Sequence, residues 1–179
     1  VEFGAGSARK VGPLLEAMRP SAYVALDISA EHLQQATASL QIQHPSVPML
    51  GICCDHSRLD ALPDHPLMRG KRRVGFFPGS SLGNFTRDEA IELLGRFRLL
   101  LNGGPLLLGL DQPKASSRLE AAYNDAAGIS AAFARNLLQR LNNDLKADFN
   151  PADFRYEAVW QSTESRVRMA LISESDQTV

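Results

Sequence analysis

Val1-Glu2-Phe3-Gly4-Ala5-Gly6-Ser7-Ala8-Arg9-Lys10 begins with a short apolar run and an acidic residue, continues into a Gly-x-Gly turn, and is followed directly by a helical pattern. An α/β nucleotide-binding site begins in this way at its first turn. Glycines at positions 4 and 6 let the backbone turn tightly and let a ligand lie against bare main chain, because no Cβ stands there. Arg9 occupies the place of the third glycine of the dinucleotide fingerprint, so the turn alone also fits an ordinary strand-to-helix connection.

Length and composition indicate one globular domain. The chain has 179 residues, of which 44% are hydrophobic and 22% are charged, and its formal net charge is -1. This is enough apolar material for a full core, so we expect a single domain over residues 1–179. The first residue, Val1, already lies inside a strand pattern and is not an initiator Met, so we expect the domain to be truncated at both ends.

Several classes of partner are disfavoured by the sequence. A near-neutral charge balance argues against a nucleic-acid groove, which needs concentrated positive charge. Cys53 and Cys54 are adjacent and would point to opposite faces of a strand, which disfavours a disulfide or a metal pair, and the four histidines show no metal spacing. No apolar run is long enough for a membrane span, and no secretory signal begins the chain. We therefore expect a cytoplasmic protein without metal, membrane or nucleic acid, and favour a monomer.

Short apolar strands alternate with helical patterns along the chain. After the first strand, strands are predicted at residues 21–27, 48–55, 73–77 and 105–111, and helices at 9–18, 29–40, 86–101 and 117–145, the last with an interruption near Gly128. This alternation predicts a mostly parallel sheet with helices on both faces. Residues 154–161 and 166–173 alternate apolar with polar side chains and predict a C-terminal antiparallel hairpin at a sheet edge.

The helix after the fourth strand has the clearest local signals. Thr86 and Glu89 fit a capping box, in which side chain and backbone of the two residues satisfy each other at the helix start. The expected inner stripe of this helix consists of Ile91, Leu94, Phe97 and Leu101. Asn102, Gly103 and Gly104 follow it, and such residues tolerate the left-handed conformation that ends a helix.

Ligands of open α/β sheets bind beyond the carboxyl ends of the strands, where several polar residues of this chain fall. Asp27, 21 residues after Gly6, has the position of an acid that accepts hydrogen bonds from a ribose diol, or else of an acid favoured by the dipole of the next helix. Asp55 would reach an adenine amino group or act as a turn former. His56 is a pocket wall or a solvated turn residue, and Lys10 either meets a cofactor carboxylate or is simply exposed.

Two further residues are candidates for substrate contacts. Asn84 follows the fourth strand, and its amide can accept a hydrogen bond from a substrate amine while donating another to a carboxylate. Tyr123 offers a phenol that can do the same. The structural alternatives are that Asn84 is a turn residue at the start of a helix and that Tyr123 is a half-buried core aromatic. No Gly-x-Ser-x-Gly elbow surrounds Ser80 or Ser81, which disfavours a hydrolase.

A resemblance to a known family rests on a series of segments that covers nearly the whole chain: VEFGAGSARK, ALDIS, FFPGSSLGNF, LLLGLDQPK, LEAAYNDAAGISAAFARNLLQRLN, ADFNPADF and MALISESDQTV. In these segments the chain resembles the histidine-specific methyltransferase family that depends on S-adenosyl-L-methionine (SAM) and is known from ergothioneine biosynthesis. The resemblance implies a Rossmann-like class I methyltransferase fold, in which a hairpin closes the sheet edge. It also implies methyl transfer to the α-amino group of an amino acid, with L-histidine the expected substrate.

The resemblance assigns roles to the residues above. It implies that SAM is held by the glycine turn and by acidic and basic residues near it, namely Gly4, Gly6, Lys10, Asp27, Asp55 and His56. It further implies that the α-amino and carboxylate ends of the substrate meet Asn84 and Tyr123. Family members commonly have Asp-Phe where this chain has Asp55-His56, and they draw further substrate contacts from segments outside residues 1–179.

The implied reaction is a direct displacement, in which a neutral amine attacks the SAM methyl in line with the departing sulfur. It requires positioning and desolvation of the reactants, and neither a metal nor a covalent enzyme intermediate. Tyr123 or a water beside Asn84 is the candidate proton acceptor. Two alternatives stay open: a SAM-binding fragment or scaffold without activity of its own, and an NAD-binding oxidoreductase, which the missing third glycine disfavours.

Overall fold

The computed structural model describes residues 1–176, and residues 177–179, the end of the MALISESDQTV segment, lie outside that part. The chain divides into two compact units, the first of which is Val1–Asp111 and the second of which begins at Gln112.

The first unit is built on a five-stranded sheet with the strand order β3-β2-β1-β4-β5, in which every pair is parallel. Its elements are β1 Glu2–Phe3, α1 Gly12–Met18, β2 Tyr23–Asp27, α2 Ala30–Gln43, β3 Met49–Cys53, β4 Gly75–Phe77, a 3₁₀ turn Ser81–Asn84, α3 Arg87–Leu100 and β5 Leu106–Leu108. β2 and β3 follow on one side of β1, whereas β4 and β5 follow on its other side, so the strand order reverses between β1 and β4. In α/β sheets such a reversal creates a crevice at the carboxyl ends of the strands. The predicted Rossmann-like α/β plan is confirmed.

Helices cover both faces of this sheet, as the sequence predicts. Along β2, Tyr23 and Ala25 join one apolar cluster with side chains of α1 and α2, whereas Val24 and Leu26 join a second cluster with side chains of α3. All four residues are buried. A strand buried on both faces has no polar side to alternate with, which explains the continuous apolar run in the sequence.

Helix α3 starts as its sequence predicts. The Thr86 Oγ1 accepts a hydrogen bond from the Glu89 N–H, and the Glu89 carboxylate accepts one from the Thr86 N–H at 2.7 Å, so the capping box is complete. The helix is followed by Asn102 and Gly103, whose φ angles are 52° and 72°, and the predicted termination is therefore confirmed.

The inner face of α3 differs from the expected stripe at one position. Phe97 is fully buried, and Leu93, Leu100 and Leu101 are buried beside it. Ile91, which the sequence places on the inner stripe, is 60% exposed, so that expectation was wrong. The reason is geometric: six residues of helix rotate Ile91 about 120° away from Phe97, which leaves it outside the buried face.

The second unit contains two helices and a hairpin: α4 Ser116–Tyr123, α5 Ile129–Leu145, a 3₁₀ turn Pro151–Asp153, β6 Phe154–Gln161 and β7 Arg166–Ser173. The predicted interruption of the long helical stretch is confirmed, because Gly128 lies between the helices with a φ of 70°. The predicted antiparallel hairpin is also confirmed with its expected bounds. Within residues 1–176 its strands pair only with each other, so the hairpin forms a two-stranded sheet of its own and does not extend the edge of the five-stranded sheet.

Among the helices of the described residues, none combines the length and the apolar character needed to cross a membrane.

Replacing Phe97 with Ala should lower the free energy of unfolding by about 3–5 kcal/mol, because it leaves a cavity under the sheet where the ring stacks on Phe3. Leu99 lies on the same helix and is 74% exposed, so Leu99→Ala is a matched control with an expected loss below about 0.5 kcal/mol. Urea denaturation measures both values. Equal losses for the two variants would contradict the described packing.

Candidate functional site

The glycine turn after β1 is tied to the end of β2. The N–H groups of Gly4 and Ala5 both donate to the carbonyl oxygen of Leu26, at 2.9 and 3.0 Å. Gly4 and Gly6 have φ angles of 68° and 52°, in the left-handed region that favours glycine. The turn therefore places two glycines at the carboxyl end of the central strand, and the space beside Gly6 is open.

Asp27 joins this turn to the start of helix α2. Its Oδ2 accepts the Gly6 N–H at 2.7 Å, and its Oδ1 accepts the Ser29 N–H at 2.9 Å. The interval of 21 residues seen in the sequence thus corresponds to a direct hydrogen bond. Each carboxylate oxygen keeps a second lone pair that a ribose hydroxyl can use. The alternative, an acid beside the N-terminus of a helix, describes the Ser29 contact, and the two descriptions are compatible.

Asp55 behaves as a turn former in the structure. Its Oδ1 accepts hydrogen bonds from the Ser57 N–H at 2.9 Å and from the Ser57 hydroxyl at 2.6 Å, and these bonds lower the pKa of the Asp55 carboxyl. The side chain is exposed, and its second oxygen, Oδ2, is the one available to an adenine amino group.

His56 lies against aromatic rings and the glycine turn. Its ring makes edge contacts with Phe3, Phe77 and Phe97 at centroid distances of 6.2, 5.9 and 5.7 Å. A Cβ on Gly4 would lie 3.3 Å from the His56 Nε2, and the buried Nδ1 has no hydrogen-bond partner among the described residues. Burial lowers the pKa of His56, although the nearby Asp55 raises it. This placement fits a pocket wall better than a solvated turn residue.

Lys10 and Asn84 are both associated with the loop after β4. The exposed Lys10 reaches the loop after β4, because its Nζ lies 3.2 Å from where a Cβ on Gly79 would stand. Asn84 is the exposed last residue of the 3₁₀ turn in the same loop, whose neighbours Leu82 and Phe85 pack against the core. The loop is therefore anchored by apolar contacts on both sides of the Asn84 amide.

Tyr123 is the last residue of α4 and belongs to the second unit. Its side chain is 39% exposed, and its carbonyl oxygen accepts a hydrogen bond from the Tyr156 hydroxyl at 2.9 Å. The predicted residues Gly4, Gly6, Lys10, Asp27, Asp55, His56 and Asn84 thus lie in or beside the segments that follow four strands of the first unit, and Tyr123 lies in the second unit. Direct contacts with the glycine turn are described for Asp27, which accepts the Gly6 N–H, and for His56, which lies beside Gly4.

A buried polar pair next to the glycine turn was missed by the sequence interpretation. Glu2 is 1% exposed, and its carboxylate accepts a hydrogen bond from the Tyr23 hydroxyl. Glu2 pairs with Ala25 in the sheet, so Tyr23 is its diagonal neighbour on the same face. The available signal was an acidic residue in an apolar strand, followed one strand later by a tyrosine at the start of the buried run.

Burial sets the protonation behaviour of this pair. It raises the pKa of the Glu2 carboxyl to about 7, while the hydrogen bond from Tyr23 and the positive charge of Lys10 act in the opposite direction. Burial, followed by the neighbouring Glu2 charge, also raises the pKa of the Tyr23 phenol. The pair therefore places a buried carboxyl, still able to ionise near neutral pH, two residues before Gly4.

Metal chemistry has no visible support in the residues that the structure describes. Over residues 1–176, no group of three or more His, Cys, Asp or Glu side chains is placed so that it could hold a metal ion.

Comparison with known proteins identifies the family to which the chain is similar. The model of a family described as "Histidine-specific methyltransferase, SAM-dependent" matches residues 1–179. Histidine N-alpha-methyltransferases of Mycolicibacterium smegmatis and Mycobacterium tuberculosis are 36% and 34% identical to the chain, over 100% of its length and 56% of theirs. A 4-dimethylallyltryptophan N-methyltransferase of Penicillium roqueforti is 27% identical, over 97% of this chain and 56% of the relative. The chain spans about half the length of these curated relatives.

Replacing His56 with Phe should reduce the loss in the free energy of unfolding that accompanies a fall in pH. Because the folded state holds the pKa of His56 below its usual value, the unfolded chain takes up this proton first as the pH falls, and stability is lost through and below pH ~6.5. The His56→Phe variant lacks this loss, so between pH 8 and pH 5 its free energy of unfolding should fall less than that of the wild type.

Urea denaturation across that pH range measures the effect, and His32→Gln, at an exposed position of α2, serves as the control. An identical pH dependence in His56→Phe and the wild type would contradict the burial of the imidazole.

Proposed function

Because this chain belongs to the family of SAM-dependent, histidine-specific methyltransferases, we propose that the protein it comes from transfers methyl groups from SAM to the α-amino group of an amino acid, with L-histidine the first candidate. The observation that carries the proposal is the family match over residues 1–179 together with the hydrogen bond from the glycine turn to Asp27. A single methyltransferase domain over residues 1–179 is part of this proposal. Since the chain spans 56% of its bacterial relatives, the activity is proposed for the whole protein.

The residues around the glycine turn fit SAM. Open space at Gly6 leaves room for the amino-acid end of the cofactor, and we assign the Lys10 ammonium, which reaches the loop after β4, to the cofactor carboxylate. The Asp27 carboxylate has lone pairs left for the two ribose hydroxyls. At the adenine end, the proposed contacts are the free oxygen of Asp55 and the imidazole of His56, which acts as a wall of the pocket.

Bound SAM supplies an activated methyl group on a sulfonium that is a good leaving group. The task of the chain is then to hold an unprotonated amine in line with that methyl group and to exclude water. We assign this to the Asn84 amide, which accepts a hydrogen bond from the amine and donates to the substrate carboxylate, and to the Tyr123 phenol. Tyr123, or a water beside Asn84, takes the proton that the amine must lose.

A second substrate class is supported by one of the comparisons. A relative is named for N-methylation of 4-dimethylallyltryptophan, an amino acid with an indole side chain, so an aromatic amino acid other than histidine is the runner-up. The family match does not favour the NAD-binding alternative. A SAM-binding scaffold without turnover is separated from an enzyme by the experiments below.

Incubating the full-length protein with SAM and L-histidine should give products heavier by whole methyl groups, which mass spectrometry detects. The same assay with tryptophan derivatives decides between the two substrate classes. Mass gain on neither amino acid would refute the proposed substrates, and calorimetry showing binding of neither SAM nor S-adenosylhomocysteine would refute the proposed cofactor. Unchanged turnover after Asn84→Ala would remove that residue from the substrate site.

Replacing Asp27 with Asn should weaken SAM binding about 10- to 100-fold, because a hydrogen bond to a charged acceptor contributes about 1.5–3 kcal/mol. Asn keeps the size of the side chain and one acceptor oxygen for the Gly6 N–H. Asp64→Asn is the matched control, since Asp64 is an exposed acid paired with Arg69. Isothermal titration measures both affinities, and equal affinities for the two variants would remove Asp27 from the cofactor site.

A further inference from the structure

The end of helix α4 is bound to strand β6 by two side-chain hydrogen bonds. The Tyr156 hydroxyl donates to the Tyr123 carbonyl oxygen at 2.9 Å, and the Asn124 Nδ2 donates to the Ala158 carbonyl oxygen at 2.8 Å. The carbonyl groups in the last turn of a helix have no partner inside that helix, so the Tyr156 hydroxyl satisfies one of them. Both bonds lie within the second unit, and they fix the backbone at the residue where α4 ends.

The other side of the same segment is bound to helix α5. The Asp125 carboxylate accepts the N–H groups of Ile129 and Ser130, both at 2.8 Å, at the start of this helix. These bonds lower the pKa of Asp125, so the carboxylate stays ionised and caps the helix N-terminus. Tyr123, Asn124 and Asp125 are therefore held from β6 on one side and from α5 on the other.

The Tyr156 hydroxyl is suited to be a constant donor in this arrangement. Burial raises its pKa, and the nearby Asp125 carboxylate and Tyr123 phenol raise it further. The hydroxyl consequently stays protonated at neutral pH.

The phenol of Tyr123 is the part of this segment that stays accessible. The residue is 39% exposed, so packing leaves part of it uncovered, whereas its backbone is fixed by the hydrogen bonds to β6. A reactive group displaced by about 1 Å can lose about 100-fold in rate, so a phenol on an exposed helix end needs a rigid base.

We propose that Tyr156 and Asn124 are positioning residues for the Tyr123 phenol, and that the β6–β7 hairpin thereby sets the orientation of this phenol toward the substrate amine. This inference rests on the proposed function, in which Tyr123 contacts the substrate. Neither Tyr156 nor Asn124 touches a reactant in this proposal, and both act through the main chain around Tyr123.

Replacing Tyr156 with Phe in the full-length protein tests the proposal, because it keeps the ring and removes only the hydroxyl. We expect kcat to fall about 10-fold while SAM affinity and the thermal midpoint stay close to the wild type. In a Tyr123→Phe background the same substitution should change kcat by less than about twofold, since the phenol that it positions is already absent. Asn124→Ala should give the same pattern and replaces Tyr156→Phe if that variant folds poorly.

Ser173→Ala on β7 is the matched control, because it also removes a hydroxyl that donates to main chain, here the Ser175 carbonyl oxygen at 2.6 Å, within the same hairpin. Its kcat should equal that of the wild type.

If Tyr123→Phe lowers kcat but Tyr156→Phe and Asn124→Ala do not, positioning is overturned while the proposed role of Tyr123 stands. If Tyr156→Phe costs the same factor in both backgrounds, the effect does not pass through Tyr123 and the inference is wrong. If Tyr123→Phe leaves kcat unchanged, the catalytic assignment of Tyr123 falls, and positioning falls with it.

Discussion

Three backbone N–H groups of the first turn donate to the last two residues of β2, and the site depends on this contact. Gly4 and Ala5 bind the Leu26 carbonyl oxygen, and Gly6 binds the Asp27 carboxylate. Strand β1 has only two residues, so its own ladder gives the turn little support. The end of β2 supplies that support through the Leu26 carbonyl oxygen and the Asp27 carboxylate. The proposed cofactor site and the junction of these two strands are thus the same part of the structure.

The sequence predicts the elements of the fold and the strand ends of the site for the same physical reason. Parallel strands bring their carboxyl ends to one edge, so acidic residues after successive strands, such as Asp27 and Asp55, can be assigned to one region without coordinates. Helical periodicity is less secure at the margin of a buried face, and Ile91 was misassigned because a stripe read from apolar residues alone does not fix where that face ends.

Contacts between residues distant in the chain were beyond prediction. The Glu2–Tyr23 pair depends on the register of β1 against β2, and the aromatic surroundings of His56 depend on how α3 packs under the sheet. The anchoring of Tyr123 by Tyr156 requires the hairpin to return to the end of α4, 33 residues earlier in the chain. The chemistry of a side chain can suggest that a residue is functional, but only the packing shows which neighbouring residue holds it in place.

The four-residue buried run of β2 also matters before the chain has folded. Tyr23, Val24, Ala25 and Leu26 form an uncharged, β-prone segment, and such segments pair between chains when they are exposed in an unfolded or newly made polypeptide. Pro20 precedes this segment and Asp27 follows it. A proline or a charged residue beside an aggregation-prone segment disfavours its pairing with other chains. The carboxylate that accepts the Gly6 N–H in the native state thus also has the position and charge of a residue that opposes such pairing.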